Sequence, residues 1–258
     1  MTKTELFRSL HHGARPLVLP NAWDYGSAAL LAEAGFAAVG TTSLGVAAAA
    51  GLPDGTAATR DETLTLARRL GRLPIPVTVD VEGGFSTDPG EVARFCAELA
   101  AAGIAGINLE DSRANAGLAD PVAHGEVIAA VKSTAPELFV NARTDTHWLG
   151  LEVDSTLARV QHYEKCGADG VFVPGLTDAD GIRALTAATT VPLNVLFSPA
   201  GPAVAELAEL GVRRISTGSL LYRAALAAAV HTAESVAHDH QLVGEIPSYA
   251  TIQRLLET

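Results

Sequence analysis

Residues 77–85, Val77-Thr78-Val79-Asp80-Val81-Glu82-Gly83-Gly84-Phe85, form a short β-branched run that stops abruptly in carboxylates and continues into small residues. Such a run reads as a buried parallel strand. A second one, Gly106-Ile107-Asn108-Leu109-Glu110-Asp111, ends the same way. Carboxylates at the C-terminal end of a buried strand are costly to desolvate without a cation or hydrogen-bond partners. A hard divalent cation held by one or two carboxylates, water and substrate oxygens satisfies them at least expense. The two stretches together predict a parallel-sheet α/β fold whose acidic strand ends work with a metal on a small oxyanionic substrate.

Working outward, strand-like runs alternate with helical patterns. The strands fall at 16–20, 37–42, 75–80, 104–110, 138–143, 169–174, 191–196 and 212–216. The helices fall near 24–35, 59–71, 88–102, 121–134, 153–167, 178–188, 201–210 and 218–235. Cap-competent residues open several helices (Asp24, Thr59, Asp88-Pro89, Asp178), and glycines close others (Gly35, Gly103, Gly167, Gly211). Eight βα units predict a (β/α)8 barrel. A doubly wound open sheet is the alternative, but Asn21-Ala22-Trp23-Asp24 follows the first strand where a Gly-rich dinucleotide loop belongs. No linker divides the chain, so residues 1–258 are expected to make one barrel domain, with a helical tail at about 236–258 that includes an amphipathic stretch from Tyr249 to Leu256.

Composition narrows the functional classes. The 258 residues carry 18 basic and 29 acidic side chains, a net charge of −11. That disfavours nucleic acid and anionic membrane as partners. No apolar run reaches transmembrane length, and the polar N-terminus lacks a signal-peptide core. Cys96 and Cys166, both in expected helices, read as reduced thiols of a cytoplasmic protein.

In a barrel the active site gathers at the strand C-termini. Asp80, Glu82 and Glu110 form the candidate metal set, because three carboxylates on adjacent strands repel one another without a cation. Arg143 is the candidate for bidentate capture of a substrate anion and for a salt bridge to Glu110 or Asp145, two roles that are compatible because a neighbouring carboxylate can orient the guanidinium. The loop Thr41-Thr42-Ser43-Leu44-Gly45 offers free backbone N–H groups to a substrate oxyanion. It is expected to run on as a mobile Ala/Gly-rich lid to Leu52-Pro53-Asp54-Gly55. Asp54 on that lid reads as acid, base or orienting group, against the plainer role of a turn corner. Asn194, ending the seventh strand, is a candidate substrate contact. His11-His12 reads as solvated, His147-Trp148 as a candidate mouth lining, and Arg213-Arg214 as a source of surface ion pairs.

These motifs, in this order over roughly residues 16–235, resemble the isocitrate lyase/phosphoenolpyruvate mutase superfamily, on its phosphoenolpyruvate phosphonomutase-like branch. The resemblance implies Mg²⁺-dependent chemistry, with Mn²⁺ as a substitute, on a C–C or C–P bond next to a 2-oxo acid or its enolate. It implies Asp80 as metal ligand, and Glu82 and Glu110 around the ion, often through water. It further implies Arg143 on the substrate, Thr42, Ser43 and Leu44 around the substrate carboxylate, and Asp54 as the lid aspartate. It also implies a homodimer or homotetramer exchanging the eighth helix, residues 218–235. The chain departs from the family after Glu110. Asp111-Ser112-Arg113-Ala114-Asn115-Ala116-Gly117-Leu118 has neither the acid cysteine of the isocitrate lyases nor the basic gate of the mutases, keeping only Arg113 and Asn115 as polar candidates. Pro174 stands where the mutases carry a histidine. The expectation is a Mg²⁺-dependent lyase that breaks a C–C bond of an oxaloacetate-like acid through a metal-stabilised enolate. C–P chemistry and a non-catalytic metabolite-binding barrel are the alternatives.

Overall fold

The structure, a computed structural model, describes residues 1–113 and 117–256, so Asn115 lies outside the described residues. Its main sheet is wholly parallel. Strand β1 (Leu17–Leu19) is separated by Pro20 from β2 (Asn21–Ala22), and the sheet continues through β3 (Val39–Thr41), β4 (Val77–Asp80) and β5 (Gly106–Glu110). A two-stranded antiparallel ribbon, β6 (Ser112–Arg113) and β7 (Gly117–Leu118), stands apart. The sheet resumes with β8 (Phe139–Arg143), β9 (Gly170–Val173), β10 (Leu193–Leu196) and β11 (Arg214–Ser216). β11 pairs with β1, and β2 pairs with β3, so the break at Pro20 is the seam at which the ring closes. Counting β1 and β2 as one broken strand gives eight, a (β/α)8 barrel.

Helices α2 (Tyr25–Glu33), α4 (Arg60–Leu70), α5 (Pro89–Ala101), α6 (Pro121–Thr134), α8 (Thr156–Lys165), α9 (Ala179–Ala188) and α10 (Val204–Glu209) follow successive strands. The βα turns reuse one device: Asp24, Asp88, Asp120 and Asp178 each accept a backbone N–H of the first helical turn. The apolar core lies between helices and sheet, built from Val, Leu, Ile and Ala.

Helix α1 (Lys3–Leu10), held by a capping box between Thr2 and Glu5, closes the bottom of the barrel. Its Phe7 packs among Leu17, Leu19, Ala38, Ala105 and Phe139. Gly106 makes this plug possible, since a Cβ there would stand 3.0 Å from the Phe7 ring and 2.8 Å from the Phe139 carbonyl. Two expectations are corrected here. His11 is buried rather than solvated, stacked on Phe139 with its Nδ1 against the Phe7 carbonyl (2.7 Å). Burial, and then the nearby Arg214 charge, pulls its pKa down to about 3. Arg214 is not a surface group but is fully enclosed in the barrel interior (0% exposed).

At the other end of the chain α11 (Leu220–Ala237) stands nearly bare, with Leu226, Val230 and Val236 50%, 60% and 65% exposed and Ser235 its one buried residue. Helix α12 (Tyr249–Leu256) packs on α2, where Arg254 pairs with Glu33. Among the described residues no helix is long and apolar enough to cross a membrane.

Candidate functional site

The strand C-termini open into a cavity of about 370 Å³. Neighbouring strands deliver its carboxylates at matched heights. Asp80 of β4 is level with Asn108 of β5, and Glu110 of β5 is level with Arg143 of β8. The Asp80 N–H donates to Thr41 Oγ1 (2.9 Å), while its Oδ1 accepts the Glu82 N–H (3.1 Å). Ser112 Oγ donates to Glu110 Oε1 (2.7 Å).

Burial raises the pKa of Asp80 to about 6, with Arg143 offsetting it only in part. Burial likewise raises Glu110 to about 8, against the pull of Arg143 and with the push of Asp145 and Asp80. Arg143 sits among all three. Its Nε and Nη2 donate to Asp145 at 2.6 and 3.0 Å, and its Nη1 lies 3.0 Å from Glu110 and 3.9 Å from Asp80. Desolvation pulls this guanidinium down, but the carboxylates more than offset it and hold it above its usual value. Asp145 is itself fixed, because its N–H donates to Asp111 Oδ1. Asp111 Oδ2 accepts from Tyr163 (2.7 Å) and Arg159 (3.3 Å) on α8. The Nε/Nη2 fork of Arg143 is thus paired with Asp145 and its Nη1 edge with Glu110, the internal salt bridges expected beside a substrate role, while Arg143 still lines the cavity.

Thr42, Ser43, Leu44, Asp54, Asp80, Glu110 and Arg143 line this cavity; Glu82 and Asn194 do not. Glu82 has φ of 49°, a left-handed conformation that turns its side chain out of the strand's alternation. Its carboxylate accepts from the Ala57 N–H and Thr59 Oγ1, both at 2.8 Å, at the foot of the turn carrying Asp54. Glu82 thus clasps that turn at the edge of the cavity, still close enough to Asp80 to act on its charge. Asn194 is buried beneath the mouth against Ser216.

The expected loop after β3 is instead helix α3 (Ser43–Ala50), closed by Gly51 at φ 71°. Its first-turn N–H groups still face the cavity side unsatisfied by the helix, as at any helix N-terminus. The turn over the mouth shrinks to residues 51–59. Asp145, Ser112, Trp148 and Asn108 also line the cavity, and Arg113 borders both it and a side chamber of about 260 Å³ next to Glu82. Short helix α7 (Thr146–Leu149) positions Trp148. His147 does not line the cavity, whereas Pro174 does.

The donors fit a hard divalent cation. They are oxygens only, and the raised pKa values of the two buried carboxylates express that Arg143 compensates their ionised forms only in part, the deficit a bound cation would fill. Among the described residues no three Asp, Glu, His or Cys side chains converge as a cage. Two carboxylates completed by water and substrate oxygens is the arrangement Mg²⁺ accepts, and not a closed zinc site.

Comparison with known proteins places this geometry in context. Residues 7–237 match the family model for phosphoenolpyruvate phosphomutase. An uncharacterized protein of Mycobacterium tuberculosis is 46% identical over 97% of this chain and 95% of its own. The crystal structure of a Burkholderia cenocepacia protein, assigned provisionally as a phosphonomutase, superposes with a TM-score of 0.84 at 41% identity, covering 90% of this chain and 99% of that one. The oxaloacetate decarboxylase of Ectopseudomonas mendocina is 32% identical over 86% of this chain and 80% of its own.

Proposed function

The chain belongs to the phosphoenolpyruvate phosphomutase family, and on that premise we propose that it is a Mg²⁺-dependent lyase that breaks a C–C bond of a small, oxaloacetate-like 2-oxo acid. The observation that carries this reading is the pair of buried, raised-pKa carboxylates Asp80 and Glu110 at the barrel mouth. They would hold the ion, with Mn²⁺ as a substitute. When bound, the ion supplies Lewis-acid stabilisation for negative charge developing on the oxo acid.

The chain's own groups do the rest. First-turn N–H groups of α3, at Ser43 and Leu44, bind the substrate carboxylate with the helix dipole behind them. Arg143, anchored by Asp145, keeps Asp80 and Glu110 at working distance and lends positive charge to the site. Asp54 and the turn clasped by Glu82 cover the mouth and exclude water. Among the described residues no cysteine or histidine lines the cavity, so an isocitrate-type cleavage has no evident acid for its product carbanion. Loss of CO₂ needs none in that step, since the electron pair stays on the oxo acid. The likeness to an oxaloacetate decarboxylase supports this choice. C–P cleavage of a phosphonate analogue is the second reading, supported by the likeness to the Burkholderia protein. The free cysteines suit a cytoplasmic enzyme.

The test is a panel of oxaloacetate, phosphonopyruvate, isocitrate and methylisocitrate with Mg²⁺ and with EDTA. Oxaloacetate should give the highest kcat/KM, and Asp80→Ala should abolish turnover without unfolding the protein. Activity that persists in EDTA, or an isocitrate-type best substrate, would overturn the proposal.

A further inference from the structure

A polar layer crosses the barrel interior just below the carboxylates. The side chain of Arg214, fully enclosed, has no carboxylate within salt-bridge distance among the described residues. Its Nε donates to Ser216 Oγ (3.1 Å), and its Nη2 donates to Asn108 Oδ1 (3.1 Å). Asn141 Nδ2 donates to that same oxygen at 2.9 Å. Asn141, Asn108 and Asp80 stand level on three adjacent strands.

The chemistry of arginine decides which way the Asn108 amide faces. A guanidinium donates and cannot accept, so the atom it meets must be the amide oxygen. Both lone pairs of that oxygen are then taken, one by Arg214 and one by Asn141. The Asn108 amide cannot turn over without setting an N–H group against an N–H group deep in the barrel, which would cost the desolvation of both. Its Nδ2 is left to the other side. Asn108 lines the mouth cavity, and its Nδ2 meets no protein acceptor among the described residues. The result is an N–H₂ donor held beside Asp80 and facing the place where substrate oxygens must lie.

We infer that Asn108 is a substrate-binding residue, donating from Nδ2 to an oxygen of the 2-oxo acid, and that Arg214 is the positioning residue that fixes its amide from below. The inference rests on the functional reading above and deepens it. An immobile donor aimed at oxygen selects ligands that present a carboxylate or enolate-like oxygen at the base of the cavity. It costs no reorganisation when charge develops there. Arg214 contributes a charge that never reaches solvent and orders a neutral amide that does the contacting.

Oxalate, a planar mimic of a 2-oxo acid enolate, is the probe. It is titrated calorimetrically into the full-length protein in excess Mg²⁺, for wild type, Asn108→Ala, Arg214→Met and the double variant, each first checked by thermal melt. Asn108→Ala should bind oxalate roughly ten- to a hundredfold more weakly, the span of a hydrogen bond to a charged acceptor. Its affinity for Mg²⁺ alone should stay near wild type, because Asn108 is not a ligand. Arg214→Met should weaken oxalate in the same direction, and the double variant should be no weaker than Asn108→Ala, since the second change acts only through the first. Arg214→Lys, which also can only donate, should recover part of the loss.

Wild-type oxalate affinity in Asn108→Ala would overturn the inference, as would losses that multiply in the double variant. Asn108→Ala decides alone should Arg214→Met not fold. A wild-type protein that binds no oxalate and turns over no oxo acid overturns the functional proposal, and this inference with it. A wild type that binds oxalate beside an unaffected Asn108→Ala overturns this inference only.

Discussion

Glu110 has a carboxyl held near pKa 8, which makes the pH dependence of stability a direct readout of the site. Its ordinary value is 4.5 and its folded value is higher, so its contribution to stability is complete below about 4.5 and is lost as pH rises toward 8. The buried imidazoles of His11 and His124, with folded values about 3, act oppositely, costing stability as pH falls below 6.5. The Glu110 effect is therefore isolated as a difference. In EDTA, Glu110→Gln should lose the downward slope of Tm between pH 6.5 and 8. It should melt several degrees above wild type at pH 8, at about 2–4 °C per kcal/mol for a chain of this size. Mg²⁺ should raise the wild-type Tm more at pH 8 than at pH 6.5, and leave Glu110→Gln with a smaller gain. Parallel Tm curves for the two proteins in differential scanning fluorimetry would contradict the raised value. That Asp80, Glu110 and Arg143 gather at one mouth was legible, because charged residues ending apolar strands of a barrel fall at the same rim. The placements of Glu82 and Arg214 were not. Alternation along β4 places Glu82 beside Asp80, and only its positive φ, invisible in the residue types, turns it away. Arg214 follows Arg213, and nothing in an Arg-Arg pair says that one faces water and the other the barrel axis.

At the level of elements, the turn over the mouth hangs from one carboxylate. Glu82 accepts two hydrogen bonds from residues 57 and 59, and Ala57 is itself left-handed at φ 62°. Glu82→Ala should release this turn. Each bond to a charged acceptor is worth about 1.5–3 kcal/mol, so KM for the oxo acid should rise by about tenfold while Mg²⁺ affinity changes little. Limited proteolysis should find new cleavage within residues 52–58. A collapse of metal affinity instead would place Glu82 in the ligand set. The αβ periodicity was legible almost throughout, since caps such as Asp88-Pro89 and glycines such as Gly103 punctuate it. Helix α3 was hidden because Ser43–Ala50 is nearly all small and apolar, without the polar stripe that marks a helix of the outer ring.

For the whole molecule, the exposed apolar length of α11 is the feature out of keeping with an isolated barrel. A helix with Leu226, Val230 and Val236 open to water needs a covering surface. We expect a homodimer or a dimer of dimers that exchanges this helix, seen as two or four times 26.6 kDa by light scattering at micromolar concentration. A monomer there would leave α11 unexplained. Val230→Glu should shift the distribution toward smaller species.

The seam at Pro20 has a consequence in time. Strands β2 to β10 of the barrel find their ladder partners in neighbouring βα units, but β1 pairs only with β11, at the far end of the chain. The bond from the Asn21 N–H to Thr217 spans 196 residues. During synthesis at about 5–20 residues per second, Leu17–Leu19 therefore waits on the order of 10–40 s for its ladder partner. Through that interval the nascent chain is an open, curling sheet, and its N-terminal edge is the surface that a holdase or a neighbouring nascent chain would meet first.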